Sequence, residues 1–143
     1  MHRIDEEKLL VKILSVGEQI EHTFASYLKE NGLSEPQYNV LRILRGANKP
    51  IPSQTIAERL ISRRPDITRL VDRLNTMKLV KRKRCDKDRR VVYVSITEKG
   101  LSLLNNMDQP MQNRSKEFLA DLSDNECNEL MTLMNKLMKE TQR

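Results

Sequence analysis

The side chains in this sequence whose types and spacing suggest a chemistry are basic, and they are concentrated in one stretch. Residues 59–90 hold 13 basic and 4 acidic side chains, a net charge of +9, whereas the other 111 residues carry a net charge of −3. A basic block inside a mildly acidic chain is typical of a surface that binds a polyanion. The alternative is an ordinary solvated surface, but such surfaces usually mix both signs of charge.

The sequence does not predict catalysis. It contains no cluster of metal ligands, no nucleophile motif and no glycine-rich loop that would hold a phosphate. Cys85 and Cys127 form neither a zinc nor a disulfide framework. The apolar runs are too short to span a membrane, and the N-terminus lacks the layout of a signal peptide. We therefore expect a cytoplasmic protein that is not an enzyme, needs no cofactor or metal, and contacts no membrane.

The elements that must position the basic block are mostly helices. The chain has 143 residues, 38% of them hydrophobic, which suits one domain with a real core. Apolar residues recur every three or four positions, and glycine, proline and capping residues mark the helix ends. The predicted helices cover residues 5–31 (ending at Gly32), 34–46 (ending at Gly46), 53–61 (capped by Ser53) and 65–78, followed by one that begins near Thr97 and bends at Pro110 and one that begins at the Ser123 capping box.

Residues 80–97 have a different period. Val92, Val94 and Ile96 alternate with more polar positions, which is typical of a strand with one buried face. The stretch from Val80 to Arg84 is its predicted partner. A short helix, a second helix and a basic hairpin, in that order, make a winged helix-turn-helix. The predicted fold class is mainly α with a small β-hairpin wing, with a DNA-binding lobe at residues 33–100 and a helical dimerisation region at residues 1–32 and 101–143.

This order of elements predicts double-stranded DNA as the partner. The second helix of the motif enters the major groove with its N-terminal residues at base edges. There arginine can bind guanine, threonine can contact a thymine methyl group, and aspartate can accept from cytosine or orient an arginine. Phosphates would contact the preceding helix and the wing. The predicted DNA-binding residues are Arg63, Arg64, Asp66, Thr68, Arg69 and Arg73 on the second helix, Ser53 and Gln54 on the preceding one, and Arg82, Arg84, Lys87, Arg89 and Arg90 in the wing.

Three segments, Leu33–Leu41, Ile67–Leu74 and Asp86–Gly100, closely resemble the MarR family of bacterial and archaeal transcription regulators. The resemblance covers about half of the chain. It implies a homodimer in which the terminal helices interlock and two lobes reach successive major grooves of a pseudo-palindromic operator, most often to repress transcription. It further implies that Arg90 reaches into the minor groove and that Asp88, also a predicted site residue, holds an arginine of the same lobe in place.

The resemblance also implies a small-molecule effector that shifts the spacing of the two lobes. The residues themselves allow plainer interpretations, because methionines often fill cores and a lone histidine or arginine often faces water. The same holds for the cysteines, since Cys85 is either a reactive thiol among cations or an inert one, and Cys127 is either a bridge between subunits or a packing residue. The candidate effector residues are His22, Phe24, Tyr38, Met107, Met111 and Arg114.

Two alternatives concern assembly and partner. The stripes at residues 9–28 and 130–138 are long and apolar, and a small globule has limited core to bury both, which favours a dimer, although each stripe could be ordinary core. The basic surface could also meet a protein or an RNA instead of duplex DNA. With 3% aromatic residues, the chain offers few stacking platforms for single-stranded RNA.

Overall fold

The computed structural model describes residues 3–60 and 66–138. It is mainly helical with one small antiparallel sheet, which confirms the predicted fold class. The chain forms two compact units, Met1–Asp108 and Gln109–Arg143. In the described part, no helix is both long and apolar enough to cross a membrane. The elements are α1 (Glu6–Glu30), α2 (Glu35–Ala47), β1 (Ile51–Pro52), α3 (Ser53–Arg59), α4 (Ile67–Thr76), β2 (Val80–Arg84), β3 (Val92–Ile96), α5 (Glu98–Phe118) and α6 (Asp124–Leu137).

The ends of α1 and α2 are set by local hydrogen bonds and by left-handed residues. Gly32 follows α1 with a φ of 74°, as its predicted role requires. Ser34 Oγ accepts from Gln37 N at 3.3 Å and Gln37 Oε1 accepts from Ser34 N at 2.9 Å, so the predicted capping box forms. The prediction that α2 ends at Gly46 was wrong. The helix continues to Ala47, and Asn48, at a φ of 52°, takes the left-handed position, which asparagine tolerates.

The helix-turn-helix differs from the prediction at all four helix ends. Ser53 does not cap α3: it is the first helical residue, and Pro52 occupies the capping position without a side-chain hydrogen bond. The helix ends at Arg59, short of the predicted end, and α4 starts at Ile67 because Asp66 caps it. At the far end α4 stops at Thr76, and Lys78 has a φ of 64°, which no right-handed helix allows. Residues 61–65 lie outside the described residues.

The sheet contains a strand that the sequence did not reveal. Strands β2 and β3 form the predicted hairpin, in antiparallel register from Val80 opposite Ile96 to Arg84 opposite Val92. The third strand, β1, pairs with the other edge of β3 and places Ile51 opposite Val94. A strand of two residues, one of them a proline, has no detectable period, so only the pairing with β3 identifies it as a strand. This pairing anchors the connection between α2 and α3 to the wing.

In the core of the first unit, α2, both helices of the helix-turn-helix and the wing pack against one another. Val40 of α2, Ile56 of α3, Leu74 of α4 and Val94 of β3 are completely inaccessible to solvent. Helix α4, the second helix of the motif and hereafter the reading helix, shares this close-packed core with the wing. The two therefore cannot move independently without opening voids. The other side chains below 2% exposure are Leu41, Leu44, Val80, Leu104 and Met107.

The long apolar stripes of α1 and α6 are not part of that core. Leu9, Leu10 and Leu14 of α1 are 48%, 60% and 73% exposed. No residue of α6 is buried, and Leu133 and Leu137 are each more than half exposed. The alternative that these stripes are ordinary intramolecular core is therefore wrong for most of their length.

The junction between the wing and α5 is held by a short polar segment. The Thr97 hydroxyl donates to Lys78 O at 2.8 Å and accepts from Gly100 N at 3.1 Å. Lys99 Nζ donates to Met77 O at 3.0 Å. These bonds satisfy backbone carbonyl groups that have no helical partner where α4 ends. The side chains of Thr97 and Lys99 therefore have a structural role at this junction.

Gly100 is needed here because the backbone approaches it closely. A Cβ at this position would lie 2.5 Å from Leu79 O and 2.7 Å from Ile96 Cγ1. The first of these is a backbone atom of the connection between α4 and β2, so it cannot rotate away as a side chain could. We therefore expect Gly100→Ala to lower the free energy of unfolding by about 1–3 kcal/mol, measured by urea denaturation.

Gly46→Ala is the matched control. A Cβ there meets nothing within 4 Å, so the same substitution should stabilise the helix by about 0.5–1 kcal/mol. Equal unfolding free energies for Gly100→Ala and the wild type would show that Leu79 and Ile96 yield without cost.

Candidate nucleic-acid interface

Helix α4 presents an exposed polar surface. Thr68, Arg69 and Arg73 are all exposed on this helix, as the sequence predicted for residues that face a partner. Asp66 lies directly before them, and its described contacts are with its own helix rather than with an arginine. Its Oδ1 accepts from Thr68 N at 3.1 Å and from Arg69 N at 3.4 Å. The cap fixes the helix start from which these side chains project.

The other predicted DNA-binding residues of the helix-turn-helix lie on α3 or outside the described residues. Gln54 is exposed and Ser53 half-buried, both in the first turn of α3, where backbone N–H groups lack helical partners. Arg63 and Arg64 lie outside the described residues. The part of the reading surface that the structure describes is therefore the exposed face of α4 from Thr68 to Arg73.

An ion pair connects this helix to the wing. Arg82 of β2, predicted as a DNA-binding residue, pairs with Asp72 of α4. Sequence reasoning assigned no role to Asp72, although an acid inside a strongly basic block is a signal that could have been followed. Both side chains are about half exposed, so the pair contributes little to stability. Its effect is geometric, since it joins β2 to α4 next to the surface of Thr68 and Arg69.

The tip of the wing is organised around Asp88. Its Oδ1 accepts from Arg90 N and from Arg90 Nε, both at 3.1 Å, and its Oδ2 accepts from Arg90 Nη2 at 3.3 Å. The arginine that Asp88 holds is thus Arg90, two residues along the chain. A forked contact of this kind orients the guanidinium group as well as attracting it. The Arg90 side chain itself is 91% exposed, so it is oriented but remains accessible.

The backbone closes the same tip. Cys85 N donates to Val91 O at 2.8 Å and Val91 N donates to Asp88 O at 3.0 Å. Arg84 Nη1 reaches across to Arg89 O at 3.4 Å. Lys87 and Arg89 are exposed on this frame. The predicted wing residues from Arg84 to Arg90 are therefore brought together at one short, hydrogen-bonded turn, whereas Arg82 lies on β2 and binds Asp72.

The charges of the described surface are strongly unbalanced. Residues 66–90 contain ten basic side chains and four aspartates. Three of the aspartates have defined contacts: Asp66 caps α4, Asp72 binds Arg82 and Asp88 binds Arg90. The positive potential is therefore largely uncompensated, as binding to a polyanion requires.

The candidate effector residues are distributed over both units. In the first unit His22 is exposed, Phe24 is half-buried, and Tyr38 and Met107 lie in the core. Burial raises the pKa of the Tyr38 phenol above its ordinary value, and the nearby Arg42 partly offsets this. Arg42 lies over the Tyr38 ring at 5.7 Å from its centroid. In the second unit, Met111 and Arg114 are half-buried on α5, where Arg114 Nη1 donates to Pro110 O at 3.4 Å.

One further contact was not predicted. Arg45 of α2 forms a forked pair with Asp108 of α5, with Nη1 to Oδ2 at 2.9 Å and Nη2 to Oδ1 at 3.0 Å. Arg45 Nη1 also donates to Asn105 Oδ1 at 3.1 Å. The residues are 63 positions apart in sequence, so no local pattern links them. The pair joins the first part of α5 to the winged lobe.

This architecture defines a class of protein. A reading helix and a basic wing on one core are the layout of winged helix-turn-helix proteins that bind DNA, and the comparisons with known proteins agree. The profile described as "Transcriptional regulator SarA/Rot" matches residues 22–107. The chain belongs to this family of DNA-binding transcription regulators, and its relatives are of the MarR type, as the sequence predicted. Family and fold are those of regulators rather than enzymes.

Three relatives illustrate the similarity. The regulator MhqR of Bacillus subtilis is 29% identical over 127 residues, which cover 87% of each chain. A MarR transcription factor from Planctomyces limnophilus is 32% identical with a TM-score of 0.74, covering 94% of this chain and 98% of that one. A mutant MarR from Escherichia coli, solved with operator DNA, is 25% identical with a TM-score of 0.82, covering 92% and 94%.

The contacts of Asp88 predict a pH dependence of the wing. Hydrogen bonds from the Arg90 side chain, and then from its backbone, lower the pKa of Asp88 below its ordinary value near 3.8. A lowered pKa means that the bonds to Arg90 are present above the ordinary pKa and are lost as the pH falls through the folded value. An NMR titration should show the Asp88 carboxyl and the Arg90 N–H groups changing together below pH 3.8.

Arg90→Gln provides the control. It removes the guanidinium donors, so the Asp88 pKa should move back up toward its ordinary value. An Asp88 pKa that is unchanged in this variant would mean that the side chains do not bind each other in solution.

Proposed function

We propose that this protein is a sequence-specific regulator of transcription that binds duplex DNA as a homodimer. The observation that carries the proposal is the exposed basic surface formed by α4 and the wing on one shared core. Helix α4 would enter the major groove with Thr68 and Arg69 at base edges and with Arg73 nearer the backbone. The tip residues Lys87, Arg89 and Arg90 would contact the minor groove or its phosphates. That the Escherichia coli relative was solved with operator DNA supports duplex DNA as the partner.

The dimer is supported by the apolar faces of α1 and α6. Large apolar side chains are exposed on both helices, from Leu9 to Ile20 on α1 and from Leu130 to Leu137 on α6, and a soluble monomer rarely exposes this much apolar surface. We propose that a second copy of the chain covers them. A symmetric dimer presents two reading helices, and pseudo-palindromic half-sites about one helical turn, roughly 10 base pairs, apart would match them.

A small-molecule effector would act on this dimer by shifting its conformational equilibrium. Any such ligand must bind the DNA-competent and incompetent arrangements with different affinity. The candidate contacts remain His22, Phe24, Tyr38, Met107, Met111 and Arg114. Repression is the mode of action that we propose, because the family resemblance implies it.

The DNA mode is tested with two arginine variants. Duplexes are first enriched from genomic DNA on the purified protein, and affinities are then measured at several salt concentrations. We expect Arg69→Ala to cost about 1–3 kcal/mol and to relax selectivity at one base pair, because it removes a base contact. Arg90→Ala should weaken binding to all duplexes alike and reduce the salt dependence, because it removes a backbone or minor-groove contact.

Each variant serves as the control for the other, since each removes one exposed arginine and leaves the core intact. If no genomic fragment is preferred over bulk DNA, the regulator proposal is wrong and a protein or RNA partner becomes the better explanation. If Arg69→Ala weakens all sequences equally, Arg69 belongs with the phosphate contacts.

The dimer predicts a specific effect of charge on α1. Leu9 lies in the apolar stripe and is half exposed in the single chain. A glutamate there is harmless in a monomer but must be desolvated in a dimer interface. We expect Leu9→Glu to shift sedimentation velocity from dimer to monomer, whereas Ser15→Glu on the polar side of α1 should not. A wild-type protein that sediments as a monomer at micromolar concentration contradicts the proposed assembly.

A further inference from the structure

The wing carries basic side chains on both faces of its sheet. Side chains alternate along a strand, so the four consecutive cations of β2, Lys81 to Arg84, divide into two pairs. Arg82 lies opposite Val94, which is completely buried, and therefore belongs to the face that packs on the helices. Lys81 lies opposite Ser95 and Lys83 opposite Tyr93. These residues form the outer face, which points away from α4.

The two faces differ in how their charges are compensated. On the inner face Arg82 is bound by Asp72. On the outer face both lysines are exposed, and within residues 3–60 and 66–138 no acidic side chain lies within ion-pair distance of either. Two ammonium groups two residues apart on one strand repel each other unless an anion lies between or along them.

The outer face is also concave and partly apolar. It contains a depression of about 580 Å³ whose lining includes Pro50, Lys81, Lys83, Tyr93 and Ser95. Tyr93 is 37% exposed, which makes its ring available at this surface. The lining also includes Arg82 and Arg84, whose side chains alternate to the inner face, and Asp86 near the tip is its one acid. A depression lined by two unpaired lysines and an accessible tyrosine ring suits a nucleic-acid backbone, where phosphates alternate with sugars.

The orientation decides which part of the DNA such a groove would meet. The proposed half-site is read by α4, on the inner side of the sheet. The outer face would therefore not contact the base pairs under α4, but a duplex that continued past the wing would pass its far side. We propose that Lys81, Lys83 and Tyr93 form a second DNA contact, to the backbone that flanks the operator outward of each wing. This inference rests on the proposed function and extends its footprint.

The test compares two duplexes that contain the same enriched site. One ends immediately outside the site, and the other continues for about one helical turn of unrelated sequence on each side. Fluorescence anisotropy over a salt series gives the affinity and its salt slope. For the double variant Lys81→Gln/Lys83→Gln we expect affinity for the extended duplex to fall at least about fivefold, with a slope shallower by up to about 3.6 for four lysines per dimer. Affinity for the trimmed duplex should not change.

Two further variants make the comparison specific. Lys8→Gln/Lys12→Gln on α1 makes the same charge change away from the wing and should leave both affinities unchanged. Lys81→Arg/Lys83→Arg keeps both charges and should retain tight binding to the extended duplex, which separates loss of contact from damage to the strand.

The remaining outcomes overturn the inference. An equal loss on both duplexes would place the lysines within the half-site. Wild-type affinity of the glutamine variant on both duplexes would show that the outer face does not meet DNA and would leave an acidic protein as its partner. Failure of the wild type to prefer any duplex would instead overturn the proposed function, so the two failures are distinguishable.

Discussion

The constraint on which the rest of the structure depends is the repulsion among ten basic side chains held within residues 66–90. A surface that binds a polyanion must keep these charges at fixed positions without neutralising them. Three of the four aspartates of the same stretch meet both conditions. Asp66 bonds backbone N–H groups, while Asp72 and Asp88 each orient one arginine. Each carboxylate therefore fixes the position of a basic element while most of the cations remain free.

The same requirement for fixed geometry explains the apolar framework. Helix α4 and strand β3 share one core, so the position of the wing follows from the position of the reading helix. The segment Thr97–Gly100 then bonds the end of α4 to the start of α5, and Gly100 allows the backbones to approach. The forked pair between Arg45 and Asp108 makes a second connection to α5. Polar contacts at the edge of the core thus connect α5 to the elements that precede it.

Charge and exposed apolar surface are separated along the chain. The positive excess falls on α4 and the wing, whereas the uncovered leucines fall on α1 and α6. In the function that we propose, the first surface meets DNA and the second meets another copy of the protein. The separation lets each surface be optimised alone, because burying leucines and holding unpaired cations require opposite environments.

The sequence by itself determined the elements with strong local signals: the Ser34 capping box, the period-two hairpin, the basic block and the order of helices that names the fold. These follow from interactions within a few residues, so the chain order contains them. Tertiary structure decided the rest. Strand β1 exists only because β3 pairs with it, and the pairing of Arg45 with Asp108 joins residues 63 positions apart. Likewise, only the register of β2 on β3 separates Lys81 and Lys83 from Arg82, because which face of a strand is buried depends on what packs against it.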